Sequence, residues 1–259
     1  VLDRYDVDII DLDIEGATLD DDDAAERRTR ALARMQRDRG ADDPLAVWLT
    51  LPVAPNGLTE RGAAVVEQML RGGVEIAGIN AMTMNYGLER AAASLADVST
   101  GALEATAAQL SELWERSGAE LPEAGVWSLL GATPMIGRND VETEVFTLED
   151  ARALHAFAAE RGVARLSMWS LNRDDTCGSN YPYPRIVSNV CSGVEQAGER
   201  FSAVLGDGYQ GNPAPRPERA HEIIADDPAT SPYPIWSSTA FYSAGVTVVW
   251  NGAVYVSKW

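Results

Sequence analysis

Apolar and polar positions alternate strictly near the start of the chain. Ile10, Leu12 and Ile14 fall on one side of an extended segment and Asp11, Asp13 and Glu15 on the other. The aliphatic side of such a strand suits a layer of helices, and the acidic side must open onto something polar. Asp8 has the other parity and reads as structural or turn-forming. Further on the period lengthens. Residues 22–40 read as a helix with Ala31, Leu32 and Met35 on one face and Gly40 as its stop. Residues 45–51 form an apolar strand ending at Pro52. Thr59 caps a helix to about Arg71 that ends at Gly72 and Gly73. A strand over 75–84 precedes a helix over 103–116 with Leu103, Leu110 and Leu113 on its apolar side. A strand over 125–130 follows. Thr147 and Asp150 make a capping box for a helix to Arg161, then come a strand over 163–170 and a last helix over 187–205.

Five strand–helix units in succession predict a parallel sheet with helices outside it, either doubly wound or part of a (β/α)8 barrel. No Gly-rich phosphate loop follows any strand, which weakens the nucleotide-binding version. Polar and aromatic residues gather after the strands, where barrel enzymes place their sites. The pattern then stops. Residues 207–235 hold six of the thirteen prolines and read as a linker. Residues 236–259 hold three of the seven tryptophans, and two apolar runs there flank Asn251 and Gly252, a hairpin signal. So short a piece barely supports a core.

The net charge of −18 makes phosphate backbones and anionic membranes poor partners, so neither nucleic acid nor membrane is expected. No apolar run is long enough to span a bilayer. Neither His155 nor His221 has ligand-like neighbours, and no metal site or cofactor is called for. Cys177 and Cys191 lie close together in a loop rich in Gly, Ser, Asn and Pro. They suit either a disulfide of an exported protein or two separate thiols.

The acidic strand, with Asp8, Asp11, Asp13 and Glu15, resembles the signature strand of family 18 glycoside hydrolases, the chitinases and their relatives, where it is the fourth strand of the barrel. Met82, Met84, Asn85, Tyr86 and Gly87 resemble the sixth-strand motif. Ser167, Met168, Trp169 and Ser170 resemble the eighth. Residues 51–58 and 169–174 are most similar to the bacterial chitinase D-like branch. The C-terminal piece resembles a small chitin-binding module of the bacterial chitinase type through Trp236, Tyr242, Gly245, Trp250, Gly252, Tyr255 and Trp259. The resemblance implies a (β/α)8 TIM barrel of which strands four to eight are present (residues 1–206), a linker (207–235) and a small all-β module (236–259), the chain being truncated at both ends. Ile9 stands where the family usually has Gly, and Gly87 where the Tyr is often followed by Asp.

Glycoside cleavage needs an acid at the leaving oxygen and stabilisation of an oxocarbenium-like centre. Glu15, at the strand tip, suits the acid, and no second carboxylate is placed as nucleophile. The resemblance implies the substrate-assisted exception, in which the sugar's own acetamido oxygen attacks the anomeric carbon with net retention. On that basis Asp13 orients the acetamido N–H, Asp11 shares a proton or hydrogen bond with Asp13, Tyr86 bonds the acetamido oxygen, and Trp169 lies under the sugar. Met84 and Asn85 flank the sugar, although Met82 and Met84 also suit plain packing. Trp236, Trp250 and Trp259 are the stacking candidates of the module. Trp48 and Trp127 read as mid-strand core, with a sugar subsite as the second reading. Arg173 and Asp174 suit a salt bridge that shapes the loop, and Asn172 a turn. The expected protein is a secreted, monomeric chitinase acting on chitin or chito-oligosaccharides. The alternatives are an endo-β-N-acetylglucosaminidase acting on N-glycans and a non-catalytic chitin-binding, lectin-like protein. A Ca²⁺ or Mg²⁺ site or a solvated edge is the plainer explanation of the acidic strand.

Overall fold

The structure is a computed structural model that describes residues 2, 7–40, 43–89, 94–183, 185–211, 226–250 and 252–257. The chain divides into two compact units, residues 1–217 and 218–259.

The first unit is built on five parallel strands, β1 (Ile9–Asp13), β2 (Ala46–Ala54), β4 (Ile76–Met82), β5 (Leu130–Ala132) and β8 (Arg165–Leu166), hydrogen-bonded in that order, and β6 (Gly137–Arg138) and β7 (Val145–Phe146) form a separate antiparallel pair. Helices α1 (Asp22–Arg39), α2 (Glu60–Arg71), α3 (Leu95–Ser117) and α4 (Leu148–Arg161) connect them. Each helix starts where its cap dictates. Asp21, Thr59, Ser94 and Thr147 accept from backbone N–H groups in the first turns, and Thr147 and Asp150 form a reciprocal capping box. The hydrophobic core lies between the sheet's convex face and the helices. Val47, Leu49 and Leu51 of β2 and Ile79 and Ala81 of β4 meet it from the sheet side. Val66 and Met69 of α2, Leu103 and Leu110 of α3 and Leu154 of α4 meet it from the helix side. Ile14 is buried in the same cluster, so the acidic residues beside it necessarily face the concave side.

Several boundaries differ from expectation. In α1 Ala31 is exposed, and the buried face is Ala25, Thr29, Leu32 and Ala33. Strand β2 does not stop at Pro52. It runs on to Ala54 and folds back as a hairpin with β3 (Gly57–Leu58), and the side chain of Gln109 in α3 bonds both the N–H (2.7 Å) and the carbonyl (3.2 Å) of Leu58. Gly57 makes that approach possible: at φ +104° it has no Cβ, and one placed there would lie 2.3 Å from the Gln109 amide oxygen. Helix α3 begins eight residues earlier than its leucine pattern suggests, because Ser94 caps it. Residues 126–129 are a 3₁₀ turn rather than a strand, entered at Gly125 with φ +82°. Trp127 is on that turn, edge-on to Phe157 with Arg161 over its ring, and so belongs to the helix layer.

The expected helix over 187–205 is also absent. Only α5 (Phe201–Gly206) is helical, and the residues before it form an irregular segment held by the Cys177–Cys191 disulfide. Asn189, Ser192, Gly193 and Gly198 are poor helix formers, and both glycines and Ala197 adopt positive φ. Arg173 and Asp174 do not pair. The Asp174 carboxylate accepts from the N–H groups of Phe201 (2.7 Å) and Ser202 (2.9 Å) at the start of α5, whereas Arg173 donates to the carbonyl of Arg138. Asn172 bridges Ser170 and the carbonyl of Asn189, fastening the disulfide loop to the end of β8.

In the second unit β9 (Thr247–Trp250) pairs antiparallel with β10 (Ala253–Val256), Trp250 opposite Ala253, across a two-residue connection. Its Asn251 lies outside the described residues, as do Trp259 and His221.

Candidate active site

The concave face of the sheet is laid out by register. Asp11 pairs with Trp48 and Trp48 with Gly78. Asp13 pairs with Thr50, Thr50 with Asn80, and Asn80 with Gly131, which pairs with Arg165. The ladder continues one bond past β1, from Ile14 N–H to the Thr50 carbonyl (3.0 Å), and then Glu15 turns into a 3₁₀ segment whose Thr18 bonds its carbonyl. Glu15 therefore stands at the C-terminal edge of the sheet. Asp11, Asp13 and Glu15 are all exposed toward the concave side, deepest to shallowest.

Trp48 is a buried mid-strand residue, as expected, but it is buried on the concave side and not among the helix-side core. Its indole lies flat over Gly78 and near Gly131, where added Cβ atoms would sit 2.4 and 3.3 Å from the ring. The Arg165 guanidinium covers its other face, 3.8 Å from the ring centroid, and donates to Asp11 at 2.7 Å. Asp11 accepts a second bond from Thr50 Oγ1 at 2.7 Å, and Asn80 continues the chain to Thr50 (3.1 Å) and Thr133 (2.9 Å).

This contact measures the curl of the sheet. Asp11 and Arg165 lie on the two outermost of five strands, about 19 Å apart if the sheet were flat at about 4.8 Å per strand. A 2.7 Å ion pair closes that span, so the sheet is curled into a half-barrel. It also sets the height of the site. Glu15 and Trp169 are each four residues beyond Asp11 and Arg165 on parallel strands, about 13 Å higher at about 3.3 Å per residue. They therefore rise to the same rim. Trp169 is 54% exposed there, still paired with Met135 of the neighbouring strand segment.

The two deeper expectations for the sugar's partners change. Asp11 is bonded not to Asp13 but to Thr50 and Arg165, one on each carboxylate oxygen. Among the described residues no side-chain partner holds Asp13 or Glu15. Tyr86 does not face the concave side. Strand β4 ends at Met82, and Asn85 takes φ +52°, which turns the chain over so that the Tyr86 hydroxyl donates to Ser99 of α3 at 3.1 Å. Burial there raises its pKa well above the ordinary tyrosine value. The buried carboxylate of Glu144 locks this turn by accepting from the N–H groups of Tyr86 (2.9 Å) and Leu88 (3.0 Å). Met84 is buried, as packing. Asn85 is exposed, but its amide donates to Asp140 (2.8 Å) and accepts from the Asp140 N–H (2.9 Å), tying two rim loops together. Arg165, Thr50 and Thr133 were not singled out in the sequence. Arg165 was reachable, since it precedes Trp169 by two strand periods and so shares its face.

In the second unit Trp236 and Trp250 are 42% and 51% exposed, with ring centroids 5.8 Å apart. They line a groove with Tyr242, Val248, Tyr255 and Val256.

No family model matches the chain. Over 190 residues, 70% of its length, it is 35% identical to a probable bifunctional chitinase/lysozyme of Escherichia coli (strain K12). Over 184 residues it is 35% identical to endochitinase 11 of Metarhizium anisopliae. The catalytic domain of a hyperthermophilic chitinase from Pyrococcus furiosus superposes on 80% of the chain with a TM-score of 0.67 and 30% identity. The chain is chitinase-like in sequence and fold. It spans 20% and 34% of the two sequence relatives and 62% of the solved domain. A second structure, of catalytic site mutants of the Pyrococcus furiosus protein's active domain 2 complexed with chito-oligosaccharides, superposes with a TM-score of 0.66.

Proposed function

We propose that this chain hydrolyses β-1,4-linked N-acetylglucosamine polymer, chitin or its oligosaccharides. The observation that carries this is the single rim that brings Glu15 level with exposed Trp169, with Asp13 one step deeper and neither carboxylate paired among the described residues, in a fold shared with chitinase catalytic domains. On this reading the five parallel strands are strands four to eight of a (β/α)8 barrel of the family 18, chitinase D-like type. Trp169 offers its ring face to a sugar. Glu15 donates its proton to the glycosidic oxygen as that bond breaks, and the substrate's acetamido oxygen bonds to the anomeric carbon. Asp13 accepts from the acetamido N–H and balances the positive charge that develops on the ring. Water, deprotonated by Glu15, then adds to the anomeric carbon from the side the leaving group occupied as the acetamido oxygen's bond to that carbon breaks, restoring the acetamido group and giving retention.

The aromatic groove of Trp236 and Trp250 fits a chitin-binding module, the disulfide fits an exported protein, and the high negative charge, repelling further copies, fits a monomer.

Glu15→Gln keeps the shape and removes the acid. Hydrolysis of chito-oligosaccharides should fall by about 100-fold or more, with oligosaccharide binding nearly unchanged. Retained hydrolysis in this variant overturns the assignment. Product analysis on N-glycans separates this activity from endo-β-N-acetylglucosaminidase action.

A further inference from the structure

We propose that Arg165 is a positioning residue, a brace across the half-barrel that fixes Asp11 and thereby leaves Asp13 committed to the substrate. The proposal rests on the hydrolase reading above.

Three observations converge on it. Arg165 is clamped before it reaches Asp11: its guanidinium lies on Trp48, and Trp48 is seated on Gly78, where a side chain would collide with the ring, beside Gly131, where one would crowd both the ring and the Asn80 amide. The guanidinium is thus held as a plane at a fixed height, and its ion pair with Asp11 connects the first and last strands of the sheet. Asp11 also accepts from Thr50, itself bonded by Asn80, so each carboxylate oxygen has a fixed partner and the orientation of the group is set.

Asp13 sits two residues further along the same face, with no side-chain partner among the described residues. With Asp11 held by Arg165 and Thr50, the position of the neighbouring carboxylate beneath Asp13 is fixed. Asp13 is then left to accept from the substrate's acetamido N–H. Arg165 therefore acts through Asp11 on the orientation of Asp13, and touches no reacting atom itself. Its second effect is electrostatic: one positive charge at the base of the ladder offsets three carboxylates on one strand face.

The test is a double-mutant cycle on the full chain with chito-oligosaccharide substrate. Arg165→Met should lower kcat by about 100-fold with KM changed by no more than about twofold. Arg165→Lys, which restores the charge but not the planar fork, should recover part of the loss. If the residue works through Asp11, then Asp11→Asn combined with Arg165→Met loses no more than Asp11→Asn alone. Losses that multiply, or a kcat for Arg165→Met close to wild type, overturn the proposal. Thermal unfolding of the same four proteins reads the pair without turnover: the shifts should be non-additive, and additive shifts overturn the brace. Absence of hydrolysis by the wild-type chain overturns the functional reading instead, and the unfolding cycle still decides whether the brace exists.

Discussion

At the residue scale, the charges that matter most for stability are buried carboxylates bonded to backbone, not the exposed ion pairs. Asp150 is the clearest. Burial alone would raise its pKa. Hydrogen bonds from Ala96 N–H, Thr147 Oγ1 and N–H and Ser94 Oγ outweigh that and hold it below the ordinary value. One carboxylate thus caps α4 and anchors the start of α3. A depressed folded-state pKa contributes stability that is complete above the unfolded-state pKa, about 3.9, and is lost as pH falls through the folded value. The melting temperature of Asp150→Asn should therefore lie below wild type by a constant amount from about pH 7 to about pH 5, and the gap should close below about pH 4. Asp150→Ala should cost about 2 kcal/mol in denaturant unfolding at neutral pH. A gap that widens in acid would mean that the bonds to Asp150 do not favour its ionised form. Tyr86 shows the limit of reading a single residue. Its motif neighbours are where alternation places them, but one left-handed residue, Asn85, sends the ring into the helix layer.

At the element scale, the alternation of strands and helices, the caps at Thr59 and Thr147 and the acidic face were legible because each rests on a local rule: period two, period 3.6, or a cap residue beside an apolar run, whereas the cap at Ser94, which starts α3 early, was not. What failed was non-local. The β2–β3 hairpin depends on Gln109, fifty-one residues after Leu58, and the segment before α5 follows the disulfide and Asp174, not its own periodicity. The stack on the concave face is of this kind too, since Gly78 and Gly131 are unremarkable in their own strands and explicable only beneath Trp48. Gly78→Ala puts a methyl 2.4 Å from the indole. It should cost about 1–3 kcal/mol in unfolding free energy and displace Arg165 with the ring. Since the sheet's helix-side core is untouched, the protein should remain folded, with hydrolysis reduced more than stability suggests. A fully active Gly78→Ala protein would show that the stack can shift without consequence for the ladder. The disulfide closes a loop whose cysteines are 14 residues apart. Replacing both with Ser should lower stability by about 3 kcal/mol if the loop is otherwise unconstrained in the unfolded chain, and by less if it is not.

At the scale of the whole molecule, the proposed function has the two units divide the work of attacking an insoluble polymer. The first offers one rim with a proton donor and a sugar platform. The second offers aromatic faces with no carboxylate among its groove-lining residues, which on that proposal suits holding a chain and not cutting it. Tethering converts the second encounter with the solid into an intramolecular one, and the gain depends on the surface being extended. The two consequences separate by substrate. Trp236→Ala with Trp250→Ala, in the full chain, should lower the fraction bound to solid chitin by about 10-fold or more, since both ring faces and their mutual packing are lost. The same variant should hydrolyse short soluble oligosaccharides at the wild-type rate, because a chain of a few sugars gains nothing from a second site once it lies on Trp169. Glu15→Gln should show the converse: normal adsorption to the solid and no release of soluble product. Parallel loss of both activities in the Trp variant would mean that the second unit supports the first structurally. Unchanged adsorption would place the solid-binding surface on the rim around Trp169, where Leu171, Tyr183 and Val190 are exposed on the loop closed by the disulfide and the strand end it joins.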